Sequence, residues 1–578
     1  MHIRPQRLRL RTASTRLPFQ LALQLRSQLR SQLRTRLPLV ALPMLLAQGA
    51  HALELDTGND DLKIRFDNTV KASTQYRLQD ASPALVNSTR QLVPGVAASA
   101  FPQALNFNAG DDNFRNKGIV SKRLDLLSEL DVVYRKDLGL RVSAAAWYDA
   151  AYSGSTAATD VANGQAVYNQ FSSATRDLAG RKAEVLDAFI FGALPLDNGN
   201  KATGRLGRHA LQYGESLFFG DNGIARAQGP IDIWKLMSSP NAQFKEIVRP
   251  VPQVSAQVPL SSDVSVGGYY QFRWEADRMA PAGSYFSSVN NAWGGSGLNE
   301  VVGTSVLRPG SDVRPPNSGQ FGAQLKWRLE ETDLGFYAAR YHDKAGQLYS
   351  QLNVTGGQGN WYYVFPDAVK TVGASASRSL GNTNVSIETS LRTNMPLVNS
   401  NIVYANVAPA GTLATGKTAH LNLSWISSLG PSFLAREANF LGEIAWNRVL
   451  SKNDPEGHLD PLRSRDATAL QMVFSPSYRQ VLPGLDLSVP VGLRYVLDGN
   501  SSVTGLAWGP KGTGSATLGL EGTYQGVWQF ALNYTRFLGG AAPFVNYTPL
   551  LTGGTATYTT GNPLGDRDFV SLSVRRTF

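Results

Sequence analysis

Carboxylates and cations recur at alternate positions inside otherwise apolar stretches of this chain. Asp125, Glu129 and Asp131 share one face of an extended run, and Lys326, Arg328 and Glu330 share a face of another. Residues two apart on a strand point the same way, so such groups form charged rows along a wall. Arg141 and Arg273 occupy equivalent polar positions in neighbouring runs. Four histidines follow residue 52: His209, His342, His420 and His458. No Gly-x-Ser-x-Gly elbow, HExxH helix or phosphate-binding glycine loop accompanies them. His420 alternates with Asn422 and Ser424, residue types a hydrolase could use, but side chains lined up on one strand face do not make a triad. They are expected to line a wall, and the protein is expected not to be an enzyme and to need no cofactor. The acidic groups Asp56, Asp60, Asp61 and Asp454, Glu456, Asp460 lack the spacing of a dedicated calcium loop and are expected to be solvated. The absence of cysteine removes disulfides, thiolate chemistry and Cys-ligated metals.

Most of the sequence after residue 60 alternates with period two. Ala516, Leu518, Leu520, Gly522 and Tyr524 fall on one face, opposite Thr517, Gly519, Glu521 and Thr523. Gln525-Gly526 reads as a two-residue turn, and Trp528, Phe530, Leu532 and Tyr534 continue the apolar face on the return. Eighteen strands are expected, near 62–76, 122–135, 140–152, 182–194, 202–213, 251–260, 263–275, 319–330, 333–342, 361–377, 383–393, 417–427, 433–447, 467–480, 485–497, 513–524, 527–538 and 569–578; sixteen is the alternative count. Their connections alternate strictly between long (79–121, 276–318) and short (Ser261–Ser262, Glu331–Asp333). Short periplasmic turns, long external loops, an even strand count and charged inward faces belong to an all-β, transmembrane antiparallel barrel of the outer-membrane type. Aromatic residues at the ends of apolar faces (Tyr134, Trp274, Trp425, Tyr524, Trp528) suit interfacial girdles.

Residues 214–250 break the alternation. Pro230 can open a short helix through Met237, with Ile231, Trp234 and Leu236 on its apolar side. Parity makes the segment an external connection, yet it is too apolar for a fully solvated one. Two placements are open: folding into the lumen, where Glu215, Asp221, Arg226, Asp232, Trp234, Lys235, Lys245 and Glu246 would constrict a pore, or capping the neighbouring loops.

The formal charge of +11 suggests an anionic partner until its distribution is read. Residues 1–52 hold nine arginines and no acid, leaving 46 basic and 44 acidic groups in 53–578, so nucleic acid is not an expected partner. An Arg-rich stretch, an apolar run from Leu37 to Ala47 and small residues at Ala50 and Ala52 read as a secretory signal cleaved after Ala52; an arginine-rich mitochondrial presequence is the alternative. The run is too short to span a bilayer, which takes about 20 residues. At the other end, Val570, Leu572 and Val574 alternate with Ser571, Ser573 and Arg575 up to Phe578, a terminal aromatic that resembles an outer-membrane assembly signal. Arg576 departs from that pattern, since it takes an outward position where an apolar residue is usual.

Four long tracts, FRNKGIVSKRLDLLSELDVVYR (114–135), GLRVSAAAWYDAAYS (139–153), 206–257 and FSPSYRQVLPGLDLSVPVGLRY (474–495), resemble a large proteobacterial family of exported proteins catalogued only as a domain of unknown function. The resemblance implies an outer-membrane location, in contact with lipid and lipopolysaccharide. It also implies a link to proton-driven inner-membrane permeases and to hydrophobic compounds, and it supplies no catalytic or binding residues. The expected function is a porin-like channel for small solutes, hydrophobic or aromatic ones among them. A surface recognition protein (adhesin or phage receptor) and, behind it, a barrel hydrolase are the alternatives. The expected partners are the solute and the barrel-assembly machinery, the latter through the strand ending at Phe578.

Overall fold

Backbone hydrogen bonding organises the chain into a ring of strands. The computed structural model describes residues 53–85, 108–158, 169–197, 199–302, 305–353, 358–400, 402–405, 413–504, 508–546 and 556–578. The expected leader, 1–52, lies outside the described residues. The ring opens with β1 (Leu62–Arg77), β2 (Gly118–Tyr134), β3 (Leu138–Asp149), β4 (Arg181–Pro195), β5 (Lys201–His209) and β6 (Val251–Pro259). It continues through β7 (Val264–Gln271), β8 (Gln320–Leu329), β9 (Thr332–Tyr341), β10 (Val369–Leu380), β11 (Thr383–Pro396) and β12 (Thr415–Leu429). It closes with β13 (Glu437–Asn453), β14 (Asp466–Leu482), β15 (Leu485–Ser488 continued by Val491–Asp498), β16 (Gly514–Tyr524), β17 (Trp528–Leu538) and β18 (Phe569–Thr577).

Each strand pairs antiparallel with its successor, and β18 pairs with β1 from Thr577 opposite Thr69 to Phe569 opposite Arg77. Phe578 extends the seam: its N–H donates to the Asn68 carbonyl at 2.9 Å and its carbonyl accepts from the Asn68 N–H at 2.7 Å. The short strand Leu53–Leu55 lies along β1 at Ile64–Phe66, where β18 has already ended, and covers that edge. The result is a closed 18-stranded antiparallel barrel of the outer-membrane type.

Its burial is inverted relative to a water-soluble protein. Leu520, Leu532 and Leu572 are 46 %, 46 % and 49 % exposed on the outer face, whereas Lys71, Glu388 and Glu443 are 3 %, 2 % and 0 % exposed on the inner one. Apolar side chains facing outward and satisfied polar groups facing inward are what a hydrocarbon surround demands. Tyr134, Trp425, Tyr524 and Trp528 cluster at the short-turn end, and Phe440 and Phe474 extend the Trp425 group, with ring centroids 5.6 and 6.5 Å apart along the series. Arg576 sits outward as expected, its guanidinium 4.9 Å from the Trp528 ring centroid, so a cation–π contact holds it at the interface.

The structure departs from the sequence expectations in the external connections. Glu300–Val302, Ser305–Pro309, Gln347–Asn353, Gln358–Val364 and Ile402–Ala405, contributed by three different connections, form a separate five-stranded sheet. The strand expected over 361–377 is therefore two: Trp361–Val364 belongs to this sheet, and β10 starts at Val369. Pro366 and Ala368, the latter at φ 57°, separate them. The strand expected over 263–275 ends at Gln271. Trp274 is not a girdle residue but packs with Trp293, Trp361 and Phe365 beneath the external sheet, its Nε1 donating to the Asp343 carbonyl at 3.1 Å.

Two outcomes follow. Leu532→Arg places a cation on the lipid face and is expected to lower stability by about 2–4 kcal/mol, while Thr535→Arg, on the inward face, changes it far less; urea titration in liposomes reads the difference. In the external sheet, both Glu300 carboxyl oxygens are buried without a hydrogen-bond partner, and burial pushes its pKa up to about 8. With the folded value raised above the ordinary 4.5, the stabilising contribution is full at acid pH and is lost as pH rises through about 8. Proteolytic nicking of 300–309 should therefore increase at alkaline pH, and Glu300→Gln should flatten that dependence.

Candidate functional site

The inward faces of the strands are occupied largely by one connection, 214–250. After β5 ends at His209, the chain turns into the ring and bonds to side chains on opposite walls. On one wall, the Glu388 carboxylate of β11 accepts the N–H groups of Glu215 and Ile224. The Glu443 carboxylate of β13 accepts Ser216 Oγ at 2.9 Å, Phe219 N–H at 2.9 Å, Phe218 N–H, and Asn422 Nδ2 at 2.7 Å. Arg392 supplies the opposite polarity, donating to the carbonyls of Asp221, Asn222 and Gly223 at 3.1, 2.7 and 2.9 Å. A loop at membrane depth has no regular ladder, so its backbone groups need side-chain partners, and these three residues provide them.

The segment then crosses to the other wall. Tyr269 Oη on β7 donates to the Ala227 carbonyl at 3.3 Å. The helix Ile233–Ser238 is capped by Asp232, whose carboxylate accepts from Lys235 N–H at 2.9 Å. Lys71 Nζ on β1 donates to Ser239 Oγ at 2.6 Å, and Lys245 pairs with Glu129 on β2. Asn241 donates to Glu521 on β16 at 3.0 Å and accepts from Asn533 on β17 at 3.1 Å. Partners on β1, β2, β7, β11, β13, β16 and β17 place the segment within the ring of strands. Arg226 links it to the external connections, pairing with Asp277 at 2.7 Å and with Asp343. Beside that pair, Lys344 is buried over the Tyr341 ring, and burial pulls its pKa down to about 7.

The residues expected to constrict a pore divide into two groups. Trp234 is 1 % exposed and lies 6.1 Å edge-on from Tyr152, within a cluster with Phe114, Phe171 and Tyr285. It is part of a packed core and does not face an opening, because its short helix turns that side toward loop aromatics. Arg226, Asp232 and Lys235 are likewise consumed, Asp232 by Arg278 at 2.6 Å and Lys235 by the Trp147 ring at 4.9 Å and Glu184 at 3.5 Å. Asp221 is half-buried, with its carbonyl held by Arg392. Glu246 lies 3.9 Å from Lys71, and Asp125 pairs with Arg123 at 2.7 Å. Arg328 binds Asp333 at a periplasmic turn at 2.9 Å, and Arg273 sits exposed beyond the end of β7.

Glu129 is buried too, and four candidates stay accessible. Lys245 and Lys326 keep 46 % and 49 % of their side chains exposed, and Arg141 and Glu215 keep 29 % and 28 %. Arg141 is held among Glu129, Asp131 and Asp187, and Lys326 lies 4.0 Å from Glu215. The residues weighed for hydrolysis have structural duties: His420 Nδ1 lies 2.9 Å from Asn222 Oδ1, and Ser424 Oγ donates to the Glu215 carbonyl at 3.3 Å. Among the described residues no group of three His, Asp or Glu side chains is placed to hold a metal ion. Sequence reading missed Glu388, Arg392 and Glu443. Their inward parity with the polar His420–Asn422–Ser424 row was the available signal.

Removing both carboxylates, in Glu388→Ala with Glu443→Ala, strands several buried donors at about 1–3 kcal/mol each. Hydrogen exchange at the amides of Glu215, Phe218, Phe219 and Ile224 should accelerate by orders of magnitude while exchange in β16 and β17 stays slow.

No curated protein matches the sequence. Among solved structures, Acinetobacter baumannii OccAB2 aligns over 89 % of this chain and 98 % of its own at 9 % identity, with a TM-score of 0.40. The outer membrane protein opdK of Pseudomonas aeruginosa covers the same shares at 10 % identity and 0.40, and Vibrio cholerae OmpT covers 92 % and 100 % at 8 % and 0.36. A family model described as "Protein of unknown function (DUF1302)" matches residues 33–578, and the chain belongs to that family.

Proposed function

We propose that the protein is a channel for small solutes across the bacterial outer membrane, with 214–250 as its constriction. The observation that carries this reading is the asymmetry of the lumen: the segment is bonded to opposite walls, yet its own Lys245 and Glu215, and Lys326 and Arg141 on the wall, remain open to solvent. Accessible charges of both signs at a narrowing select solutes by charge and size, and a barrel of this strand number is wide enough for an aqueous lumen. A preference for solutes with an apolar part rests on the inward positions Ile426, Leu441 and Val473, which stand in register across β12, β13 and β14 below the segment. Export through a signal cleaved after Ala52, and delivery to the assembly machinery through the β18 seam at Phe578, complete the reading.

The purified protein in planar bilayers should conduct potassium chloride, and deleting 222–246 should raise single-channel conductance several-fold. Unchanged conductance in the deletion removes the constriction, and a silent wild-type protein removes the channel.

A further inference from the structure

A second feature of the lumen wall lies on the periplasmic side of the segment, on β3, β4 and β5. Phe189 and Phe191 take inward positions on β4, the parity of Asp187, with their ring centroids 6.2 Å apart. Both are half-buried. They lie flat against the wall because the inward positions beside them are glycine. A Cβ at Gly139 would come within 2.5 Å of the Phe191 ring, and one at Gly207, which has φ +130°, would overlap the Phe189 backbone. Arg205 on β5 stands directly across from Phe191, and its guanidinium lies 5.7 Å from the Phe189 ring centroid. It is exposed and, among the described residues, belongs to no ion pair. The neighbouring inward cation Arg141, by contrast, faces three carboxylates.

Most charged groups lining the barrel are neutralised by a partner, so an exposed arginine over a two-phenyl ledge is an exception that needs an occupant. A guanidinium presents a planar fork of donors matched to a carboxylate, and aromatic faces receive a flat apolar body. We infer that Phe189, Phe191 and Arg205 form a binding subsite in the channel for small carboxylates with a flat apolar or aromatic body. The carboxylate pairs with Arg205, and the ring packs on the phenyl ledge. A simple carboxylate engages only the arginine, and an aromatic ammonium is repelled by it. Glu184, which binds Lys235 and Arg278, stands five positions toward the outside on the same strand, so the subsite lies just inside the constriction. A solute that has cleared the narrowing meets it next.

This inference rests on the channel reading, and the experiment separates the two. Benzoate, acetate and benzylammonium are added to the full-length protein in planar bilayers, and block is measured relative to each variant's own potassium chloride conductance. Benzoate should block the wild type at lower concentration than acetate or benzylammonium. Arg205→Gln should raise the half-blocking benzoate concentration roughly tenfold, the loss of one charge-assisted hydrogen bond, and Arg205→Lys should recover part of it. Phe191→Ala should weaken block by benzoate and leave block by acetate unchanged. Absence of chloride conductance in the wild type refutes the channel itself. Conductance with equal benzoate block in the wild type, Arg205→Gln and Phe191→Ala overturns the subsite and leaves the channel standing.

Discussion

Everything in this molecule depends on closing a ladder of backbone hydrogen bonds. In hydrocarbon an unpaired N–H or carbonyl costs several kcal/mol, and no water is present to relieve it. A sheet in that setting cannot have an edge. The seam between β18 and β1 removes the last one, carried through to Phe578 and Asn68 and extended by Leu53–Leu55 where β18 falls short. Once the ring is closed, the outer face is free to be apolar, and the inner face can carry ionisable groups at a density no soluble core would tolerate.

Those inner groups solve a second problem, the accommodation of irregular chain at membrane depth. The segment 214–250 has only short helical turns, so its amides and carbonyls are met by side chains instead: Glu388 and Glu443 as acceptors, Arg392 as donor. Their polarity matches what the loop backbone lacks, and that match folds the segment inward. On the opposite wall the contacts are made by long lysine side chains, Lys71 reaching in from β1 and Lys245 reaching out from the segment to Glu129. The two sides of the segment are thus held by chemically different means.

Much of this was legible from residue order. Eighteen barrel strands overlap the eighteen expected runs, with ends displaced at 202–213, 263–275 and 361–377; a lipid face tolerates few interruptions, and most short turns carry glycine, aspartate or asparagine. The failures have a common cause. Trp361 and Tyr363 alternate as convincingly as any barrel strand, but period two does not say which sheet a strand joins; only Pro366 and the left-handed Ala368 mark the break. Trp274 and Trp234 looked interfacial or pore-lining because aromatics serve both roles, and their burial depends on loops brought together from distant parts of the chain. The Phe189–Phe191 ledge was hidden for a related reason: Ile190 between them is apolar too, so neither face of β4 stood out.

The double pairing of Arg226 has a mechanical consequence. Asp277 and Asp343 belong to two separate external connections, and both direct their carboxylates at one guanidinium carried by the segment 214–250. Pulling that segment aside without its partners would deprive two buried carboxylates of their shared guanidinium, a penalty larger than thermal energy. The segment and these two external connections are therefore tied to one another through a single side chain, so a displacement of either connection is felt by the chain inside the ring.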